Sequence, residues 1–236
     1  MKKRLVIICA AVLCALTALW ACIYYFAVWL PEKKENEELA ALFKAHYESR
    51  VALFEEENEK FEPGEVDVVF IGDSLTEGYN VAKAFSEYTV VNRGIGGDTS
   101  FGLEERLYVS AYALEPKAVV MLIGANNFNT MLENYEDILK GYRDNLPNTK
   151  IILLSLTAMS GRWGRNNQKA VSNNVEIKRL AEEYGYEFVD LFTPLKNPES
   201  GEIYDEYTTD GGHLTDAGYR VLTENIKPAI KRAIGE

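Results

Sequence analysis

Short apolar runs alternate with longer amphipathic segments from Val66 onward, and this alternation restricts the fold more than any other feature of the chain. The runs are continuously apolar, which is typical of strands buried on both faces. Strands of that kind, separated by helical segments, form parallel sheets covered by helices. The sequence therefore predicts an α/β domain with five parallel strands, at residues 66–71, 89–92, 118–123, 151–156 and 187–190. The predicted helices cover residues 80–87, 99–113, 132–146, 168–184 and 215–233.

An uncharged run of 26 residues, Leu5–Leu30, precedes this domain and follows the basic residues Lys2–Arg4. As a helix it would span roughly 39 Å, enough to cross a hydrocarbon core of about 30 Å. Bases at one end and aromatic residues at the other predict a transmembrane anchor over residues 1–31, with the N-terminus cytoplasmic and the rest outside. Two alternatives stay open, a long cleaved signal sequence and a lipoprotein-type cleavage site at Leu19–Cys22.

Residues 32–63 are rich in Glu and Lys and are predicted to form an amphipathic stalk helix. Apolar residues recur there every three or four positions, as on one face of a helix: Leu39, Phe43, Tyr47, Val51 and Phe54. This stripe either docks on the following domain or pairs with a second chain, which would make the stalk a site of self-association. His46 lies beside the stripe and is interpreted as a surface or interface histidine far from chemistry. Pro63 ends the stalk, and residues 64–236 form the domain.

Charge and cysteine usage exclude several classes of function. The formal charge is −11 for the whole chain, and residues 31–236 hold 22 basic against 36 acidic residues, a formal charge of −14. This balance argues against nucleic acid and against anionic lipid headgroups as partners. The three cysteines, Cys9, Cys14 and Cys22, all lie in the apolar run. The domain therefore has no disulfide, no thiolate nucleophile and no cysteine-based metal site.

Four polar segments fall where the predicted elements bring the chain to one edge of the sheet. Three follow the first three strands and the fourth precedes the last helix, at residues 72–75, 92–99, 124–127 and 210–213. Ligands of parallel α/β sheets bind outside the carboxyl ends of the strands, so we expect these segments to lie close together.

The residue types in these segments suit acyl transfer. A serine hydroxyl is a weak nucleophile that needs an adjacent base, and His213 is placed to activate Ser74. Asp210, three residues earlier, is placed to orient the histidine. The developing oxyanion needs hydrogen-bond donors, which the backbone N–H groups of Ser74 and Gly97 and the side-chain amide of Asn126 supply. Glycine at 97 also lets the backbone approach a substrate closely.

Several of these residues also have structural interpretations. Ser74 suits the cap of a following helix, and Asp73 and Asp98 resemble acids at helix starts. The glycines near Gly97 do not match a nucleotide-binding loop, because the Gly-x-Gly-x-x-Gly pattern and a P-loop lysine are missing. The acidic residues near Asp210 lack the histidine and the spacing of a metal site, so no metal is predicted.

The segment 158–168 follows the fourth strand and is predicted to be a loop near the site. Arg162 and Trp163 either line the substrate groove or are ordinary surface residues. On the first interpretation, Trp163 is assigned to substrate binding.

The four polar segments together resemble the SGNH, or GDSL-type, hydrolases. That family is named for four residues in separate blocks, which this chain matches in order over residues 66–233: Ser74, Gly97, Asn126 and His213. The third block usually reads Gly-x-Asn-Asp but ends here in Asn127, a form similar to the catalytic subunits of platelet-activating-factor acetylhydrolases. The resemblance implies a flavodoxin-like three-layer α/β/α sandwich, an acyl-serine intermediate and no cofactor, and it places Asn127 in the substrate-binding loop.

The resemblance implies an esterase, and the predicted anchor points to substrates outside the cytoplasm. We expect hydrolysis of short-chain esters, above all acetyl esters, of carbohydrate or of cell-surface glycans. The expected partners are that small acyl ester or acetylated glycan and the membrane, contacted through residues 5–30, with no nucleic acid. Two alternatives stay open, a lysophospholipase or lipase acting on membrane lipids and a catalytically silent binding module with the same fold.

Overall fold

The computed structural model describes residues 13–14 and 16–235, whose contacts form two units, one ending at Ala45 and one beginning at His46. A π-helical turn, Tyr25–Trp29, is followed by the long helix α1, Leu30–Asn58. No helix among the described residues is both long and apolar enough to cross a membrane. Residues 1–12 and residue 15 of the predicted anchor lie outside the described residues.

The helix predicted over residues 32–63 ends earlier than the sequence indicated, at Asn58. Its apolar stripe changes character at the boundary between the two units. Leu39 and Phe43 are about half exposed, whereas Tyr47 is partly buried and Phe54 is fully buried. The residues of α1 from His46 onward therefore belong to the compact second unit.

Five strands form one parallel sheet in the order β2-β1-β3-β4-β5. They are β1 Val68–Gly72, β2 Val90–Gly94, β3 Ala118–Leu122, β4 Lys150–Leu154 and β5 Glu187–Val189. The α/β fold and the five parallel strands predicted from the sequence are thus confirmed. The chain reverses its direction across the sheet after β2, so the crevice between the carboxyl ends of β1 and β3 is the switch point at which flavodoxin-like sheets bind ligands.

The flanking helices vary from single turns to 19 residues. They are α2 Ser74–Glu77, α3 Val81–Ala84, α4 Ser100–Glu105, α5 Leu107–Ser110, α6 Leu132–Asn145, α7 Gly161–Gly164, α8 Asn167–Tyr184, α9 Phe192–Leu195 and α10 Asp216–Ile234. Helix α6 packs against α4 and α8, and α10 packs against β3, β4 and β5. Single 3-10 turns occur at Tyr112–Leu114 and Asp205–Tyr207.

The single helix predicted over residues 99–113 is wrong, because the chain forms two short helices and a 3-10 turn there. Arg106 separates α4 from α5 with a φ of −108°, outside the helical range. Its guanidinium turns into the protein and pairs with Asp98. The buried ion pair therefore competes successfully with continuation of the helix.

Burial explains why the strands read as continuous apolar runs. Every residue of β1 and β3 is buried. Strand β2 lies at the edge of the sheet, yet its Arg93 is fully buried. Arg93 forms an ion pair with Glu57 and donates a hydrogen bond of 2.9 Å to the Asn58 side chain, and its guanidinium lies 4.8 Å from the Phe54 ring centroid. The end of α1 therefore covers the edge strand that leads into the site.

Candidate active site

The polar segments singled out in the sequence meet at the carboxyl ends of β1, β2 and β3. Ser74 is the first residue of α2, and Asp73 caps that helix by accepting a hydrogen bond from the Leu75 N–H at 3.0 Å. The capping role considered for Ser74 therefore belongs to Asp73. The Ser74 hydroxyl is directed instead to the loop before α10, where it contacts His213.

Ser74, His213 and Asp210 form a continuous hydrogen-bonded series. Ser74 Oγ lies 3.2 Å from His213 Nε2, and His213 Nδ1 lies 3.0 Å from Asp210 Oδ2. An ionised carboxylate only accepts hydrogen bonds, so Nδ1 carries the proton and Nε2 presents a lone pair to the serine hydroxyl. This is the arrangement in which a histidine takes the proton of a nucleophilic serine.

The loop that carries Asp210 keeps its carboxylate ionised. Partial burial raises the pKa, but hydrogen bonds from the backbone and ring of His213 and from the Gly212 N–H outweigh burial and hold the pKa of Asp210 well below its usual range. Oδ1 accepts the Gly212 N–H at 3.0 Å and the His213 N–H at 2.8 Å. The acid therefore stays charged through the pH range in which a histidine titrates.

Hydrogen bonds also close the loop that carries His213. The backbone carbonyl of His213 accepts hydrogen bonds from the Thr208 hydroxyl at 2.7 Å and from the Thr209 N–H at 2.9 Å. Gly211 has a φ of 89°, and a Cβ there would collide with the Ser160 carbonyl. Glycine is required at 211 both by this conformation and by the close approach of the segment after β4.

The segment 158–168 lies beside this loop. Trp163 packs against Gly212, where a Cβ would come within 3.0 Å of the indole. Arg162 stacks on the Trp163 ring at 4.7 Å from its centroid, and its Nη2 lies 3.5 Å from Asp210 Oδ2. Both residues thus border the acid–base pair, and the contact between Trp163 and a substrate stays a prediction.

A tight turn after β2 carries Gly97, the predicted oxyanion donor. The Ile95 carbonyl accepts the Asp98 N–H at 3.1 Å, and Gly97 has a φ of 79° at the third position of the turn. A type II turn requires a positive φ there, which glycine adopts without strain. Asn126, in the loop after β3, donates one amide hydrogen to the Asp98 carbonyl at 2.8 Å. The second N–H of that amide remains available for a substrate oxygen.

Arg106 ties the ends of two strands to this turn. Its guanidinium donates to the Gly72 carbonyl at 2.9 Å, to the Arg93 carbonyl at 2.8 Å and to the Asp98 carboxylate at 2.8 Å. The residue is only 2% exposed. A buried charge is tolerated when it is paired and hydrogen-bonded. Through these bonds Arg106 links the ends of β1 and β2 to the turn of Gly97.

Asn127 joins two parts of the site through both ends of its amide. The nitrogen donates to the Ser100 hydroxyl at 2.9 Å, and the oxygen accepts the Ser100 N–H at 3.3 Å. These bonds connect the loop after β3 to the start of α4. Both polar atoms therefore have partners within the protein, and the contact of Asn127 with a substrate stays a prediction.

Asp73 is a buried carboxyl directly beside the predicted nucleophile. Its side chain is 1% exposed, and Oδ2 has no hydrogen-bond partner of ordinary geometry among the described residues. Burial raises the pKa of Asp73 to about 7, and the charge of Asp98 adds to the rise. The backbone N–H groups of Leu75 and Ala125 oppose it.

Replacing Asp73 by asparagine should remove a pH dependence from the stability of the fold. A carboxyl whose pKa rises from 3.8 to about 7 on folding stabilises the native state fully below the lower value and loses that contribution as the pH rises through the higher one. Asparagine keeps the acceptor for the Leu75 N–H but does not ionise. The free energy of unfolding of Asp73→Asn, relative to the wild type, should therefore increase between about pH 4 and pH 8, by at most about 4 kcal/mol.

Chemical denaturation of both proteins at the two pH values measures this difference. Asn129→Ala, at an exposed position, changes no ionisable group; it is the control and should show no such increase. A stability difference between Asp73→Asn and the wild type that is the same at both pH values would contradict the prediction.

The sequence analysis does not predict the polar residues that contact the site loops from other elements. His46 Nε2 lies 3.2 Å from Glu77 Oε2, and the same oxygen accepts the Gly96 N–H at 2.6 Å, next to Gly97. The interpretation of His46 as a histidine far from the site is therefore wrong. Arg106 is a residue for which the sequence does give a signal. It is a charged residue in a segment predicted to pack on a sheet, and such a residue needs a buried partner.

The paired serine and histidine, set beside backbone donors at the switch point of a parallel sheet, define a hydrolase that works through a serine nucleophile. Within residues 13–14 and 16–235, no group of three or more His, Cys, Asp or Glu side chains is arranged to hold a metal ion.

Comparison with known proteins gives the family. The sequence model of the GDSL-like Lipase/Acylhydrolase family matches residues 70–221. A Streptococcus pneumonia protein, assigned provisionally as a platelet activating factor, is 30% identical with a TM-score of 0.76, over 84% of this chain and 99% of that chain. A GDSL-like lipase from Bacteroides thetaiotaomicron is 28% identical with a TM-score of 0.69, over 78% and 98%.

An acetylxylan esterase from Geobacillus stearothermophilus shares the fold at 22% identity and a TM-score of 0.59, over 73% of this chain and 95% of its own. A comparison with curated proteins finds no match. Since the family match covers well over half of the residues, the chain belongs to the GDSL-like lipase/acylhydrolase family of serine ester hydrolases.

Proposed function

We propose that this enzyme hydrolyses short-chain esters, above all acetyl esters, of carbohydrates or cell-surface glycans through an acyl-serine intermediate. The observation that carries the proposal is the series Ser74–His213–Asp210 beside the turn that holds Gly97. A Cβ on Gly96 would lie 4.0 Å from the Ser74 Cβ, so that turn adjoins the nucleophile.

Acylation follows from this geometry. Ser74 Oγ attacks the ester carbonyl carbon while His213 Nε2 takes the hydroxyl proton. The carbonyl oxygen becomes an oxyanion that accepts hydrogen bonds from the N–H groups of Ser74 and Gly97 and from the Asn126 amide. Collapse of this intermediate breaks the bond to the alcohol, which leaves with the proton from His213. Asp210 stabilises the charge on the ring while it is protonated.

Deacylation repeats these steps with water in place of the alcohol. His213 takes a proton from water, and the hydroxide attacks the acyl carbon of the ester on Ser74. The same donors hold the second oxyanion, and Ser74 leaves with the proton from His213. The products are the free acid and the regenerated enzyme.

Two features favour a small acyl group on a neutral or weakly charged partner. The formal charge of −14 after the apolar run disfavours anionic lipid headgroups, since like charges repel over a Debye length of about 8 Å. Between Ser74 and Val90 the chain forms two four-residue helices, which leaves no long apolar loop there to serve as a lipase lid. An acetylxylan esterase has the same fold, which makes acetylated glycans the first class to test.

Location is part of this proposal. The bases Lys2–Arg4 ahead of the uncharged run Leu5–Leu30 support a membrane anchor with the enzyme outside the cytoplasm, where acetylated glycans of the cell surface are accessible.

A series of chromogenic acetyl, butyryl and octanoyl esters tests the acyl preference. We expect kcat/KM to fall in that order, because each methylene that a tight pocket cannot accommodate costs about 1–3 kcal/mol of discrimination. Acetate release from acetylated xylo-oligosaccharides, with Ser74→Ala as the background control, tests the glycan in parallel. A kcat/KM that rises from acetyl to octanoyl would favour the lipase or lysophospholipase alternative. No turnover with any ester would favour the silent binding module.

A further inference from the structure

We propose that Glu77 and Arg50 are positioning residues that orient the oxyanion turn, so that α1 contributes to the active site through Arg50. This inference rests on the proposed function, because it takes the Gly97 N–H as an oxyanion donor. Helix α1 precedes residues 70–221, which match the family, so the family blocks do not include Arg50.

The contacts connect α1 to the turn through one carboxylate. Glu77, the last residue of α2, accepts the Gly96 N–H at 2.6 Å on Oε2. Arg50 Nε lies 3.3 Å from Glu77 Oε1, and Arg50 Nη2 donates to the Gly94 carbonyl at 3.2 Å. His46 Nε2 lies 3.2 Å from Glu77 Oε2. Residues on both sides of Ile95 are therefore held from outside the loop.

Burial separates the three contacts by expected importance. The side chains of Arg50 and Glu77 are 22% and 27% exposed, whereas that of His46 is 42% exposed. The hydrogen bond from the Gly96 N–H to the Glu77 carboxylate is charge-assisted, and such bonds contribute more than an exposed contact like that of His46. Arg50 contacts the same carboxylate as a partly buried ion pair, and its Nε has no hydrogen-bond partner among the described residues. The proposal therefore rests on Arg50 and Glu77, with His46 as a minor contact.

Turn geometry explains why a bond at Gly96 affects the donor at Gly97. In a turn from Ile95 to Asp98, the peptide between Gly96 and Gly97 is the central one, and it carries the Gly97 N–H. Rotation of the central peptide interconverts turn types and redirects that N–H. Glu77 fixes the peptide immediately before it, while Asn126 fixes the Asp98 carbonyl after it. The two bonds together hold the donor in one orientation.

The part of α1 that belongs to the second unit, residues 46–58, is also held there by Phe54 and Tyr47. The Phe54 ring is fully buried, with the Arg93 guanidinium 4.8 Å and the Arg106 guanidinium 5.9 Å from its centroid. The Tyr47 hydroxyl donates to the Gly102 carbonyl at 2.8 Å.

Steady-state kinetics of the full chain with a chromogenic acetyl ester test the proposal. Glu77→Ala removes the acceptor for the Gly96 N–H and should lower kcat by about 10–100-fold, the scale of a small misplacement of a catalytic group, with KM within about threefold. Glu77→Gln keeps a neutral acceptor and should recover most of the loss. Unchanged kcat in a folded Glu77→Ala protein would overturn the proposal.

A double-mutant cycle tests whether Arg50 acts through Glu77. Arg50→Met should lower kcat by about three- to tenfold, and adding it to Glu77→Ala should lower kcat by less than it does in the wild type, since residues in one network are not additive. The loss that remains reports the bond from Arg50 to the Gly94 carbonyl. Additive losses would overturn the role given to Arg50. Tyr47→Phe is the matched control: it removes a docking hydrogen bond of α1 without touching the turn, so it should lower thermal stability and leave kcat unchanged.

Gly96→Ala provides a second variant should Glu77→Ala fail to fold. Its Cβ would meet Glu77 Oε2 at 2.9 Å and displace the carboxylate, so kcat should fall as in Glu77→Ala. Full activity in Gly96→Ala would count against the inference. Failure of the proposed function is distinguishable, because it appears as an inactive wild type or as an active Ser74→Ala variant.

Discussion

Replacing Ser74 by alanine is expected to lower kcat for a chromogenic acetyl ester by on the order of 10⁴–10⁶-fold. Among the described residues, Ser74 has the only hydroxyl within hydrogen-bond distance of His213 Nε2, at 3.2 Å. Without it no acyl-enzyme forms, and the oxyanion donors alone give a small residual rate. The measurement is single-turnover and steady-state hydrolysis with purified protein.

Folding should survive this substitution, because Asp73 rather than Ser74 caps α2. The thermal midpoint of Ser74→Ala should therefore stay within a few degrees of the wild type. His213→Ala should show a similar loss of kcat, and the double variant should be no slower than either single one, since the pair acts as a unit. Near-normal turnover by Ser74→Ala would contradict a mechanism with Ser74 as the nucleophile.

Replacing Asn126 by alanine should lower kcat by about 10²–10³-fold with a small change in KM, as the loss of one oxyanion donor does elsewhere. The side chain is exposed at the site, so its removal opens no core cavity. Its bond to the Asp98 carbonyl, at 2.8 Å, also holds the turn of Gly97. The loss of kcat should therefore have two causes: the Asn126 donor is missing, and the Gly97 N–H is less well oriented.

Asn129→Ala gives a matched control in the same loop, because Asn129 is exposed and lies three residues beyond Asn126. It should leave kcat within about twofold of the wild type, as surface substitutions usually do. A kcat for Asn126→Ala equal to that of Asn129→Ala would remove Asn126 from the oxyanion hole.

The strands could be predicted because a strand that is buried on both faces consists almost entirely of apolar residues. Each residue of β1 and β3 lies in the core, so both strands read as uninterrupted apolar runs. For strand β2 the sequence predicts residues 89–92, whereas the strand runs over Val90–Gly94. The strand continues through Arg93, whose side chain is paired with Glu57 and Asn58 of α1. A local sequence pattern cannot predict a partner more than 30 residues away.

Helix boundaries near the site were harder to predict for the same reason. The periodicity of residues 99–113 favours one helix, but Arg106 leaves the helical conformation to reach Asp98 and the Gly72 carbonyl. A local pattern measures the preference of a segment in isolation, whereas tertiary hydrogen bonds override it when a charge is buried.

The amino-acid sequence was sufficient to predict the α/β fold class and to predict that Ser74, Gly97, Asn126 and His213 lie at one edge of a sheet. Their residue types, their order and their positions at strand ends carried that prediction. The contacts that hold them there depend on tertiary packing. Glu77 and Arg50 meet beside the turn of Gly97 because the end of α1, residues 46–58, contacts the edge strand β2. Contacts of this kind depend on how separate elements pack, and single-sequence patterns record burial and periodicity but not the pairing of distant side chains.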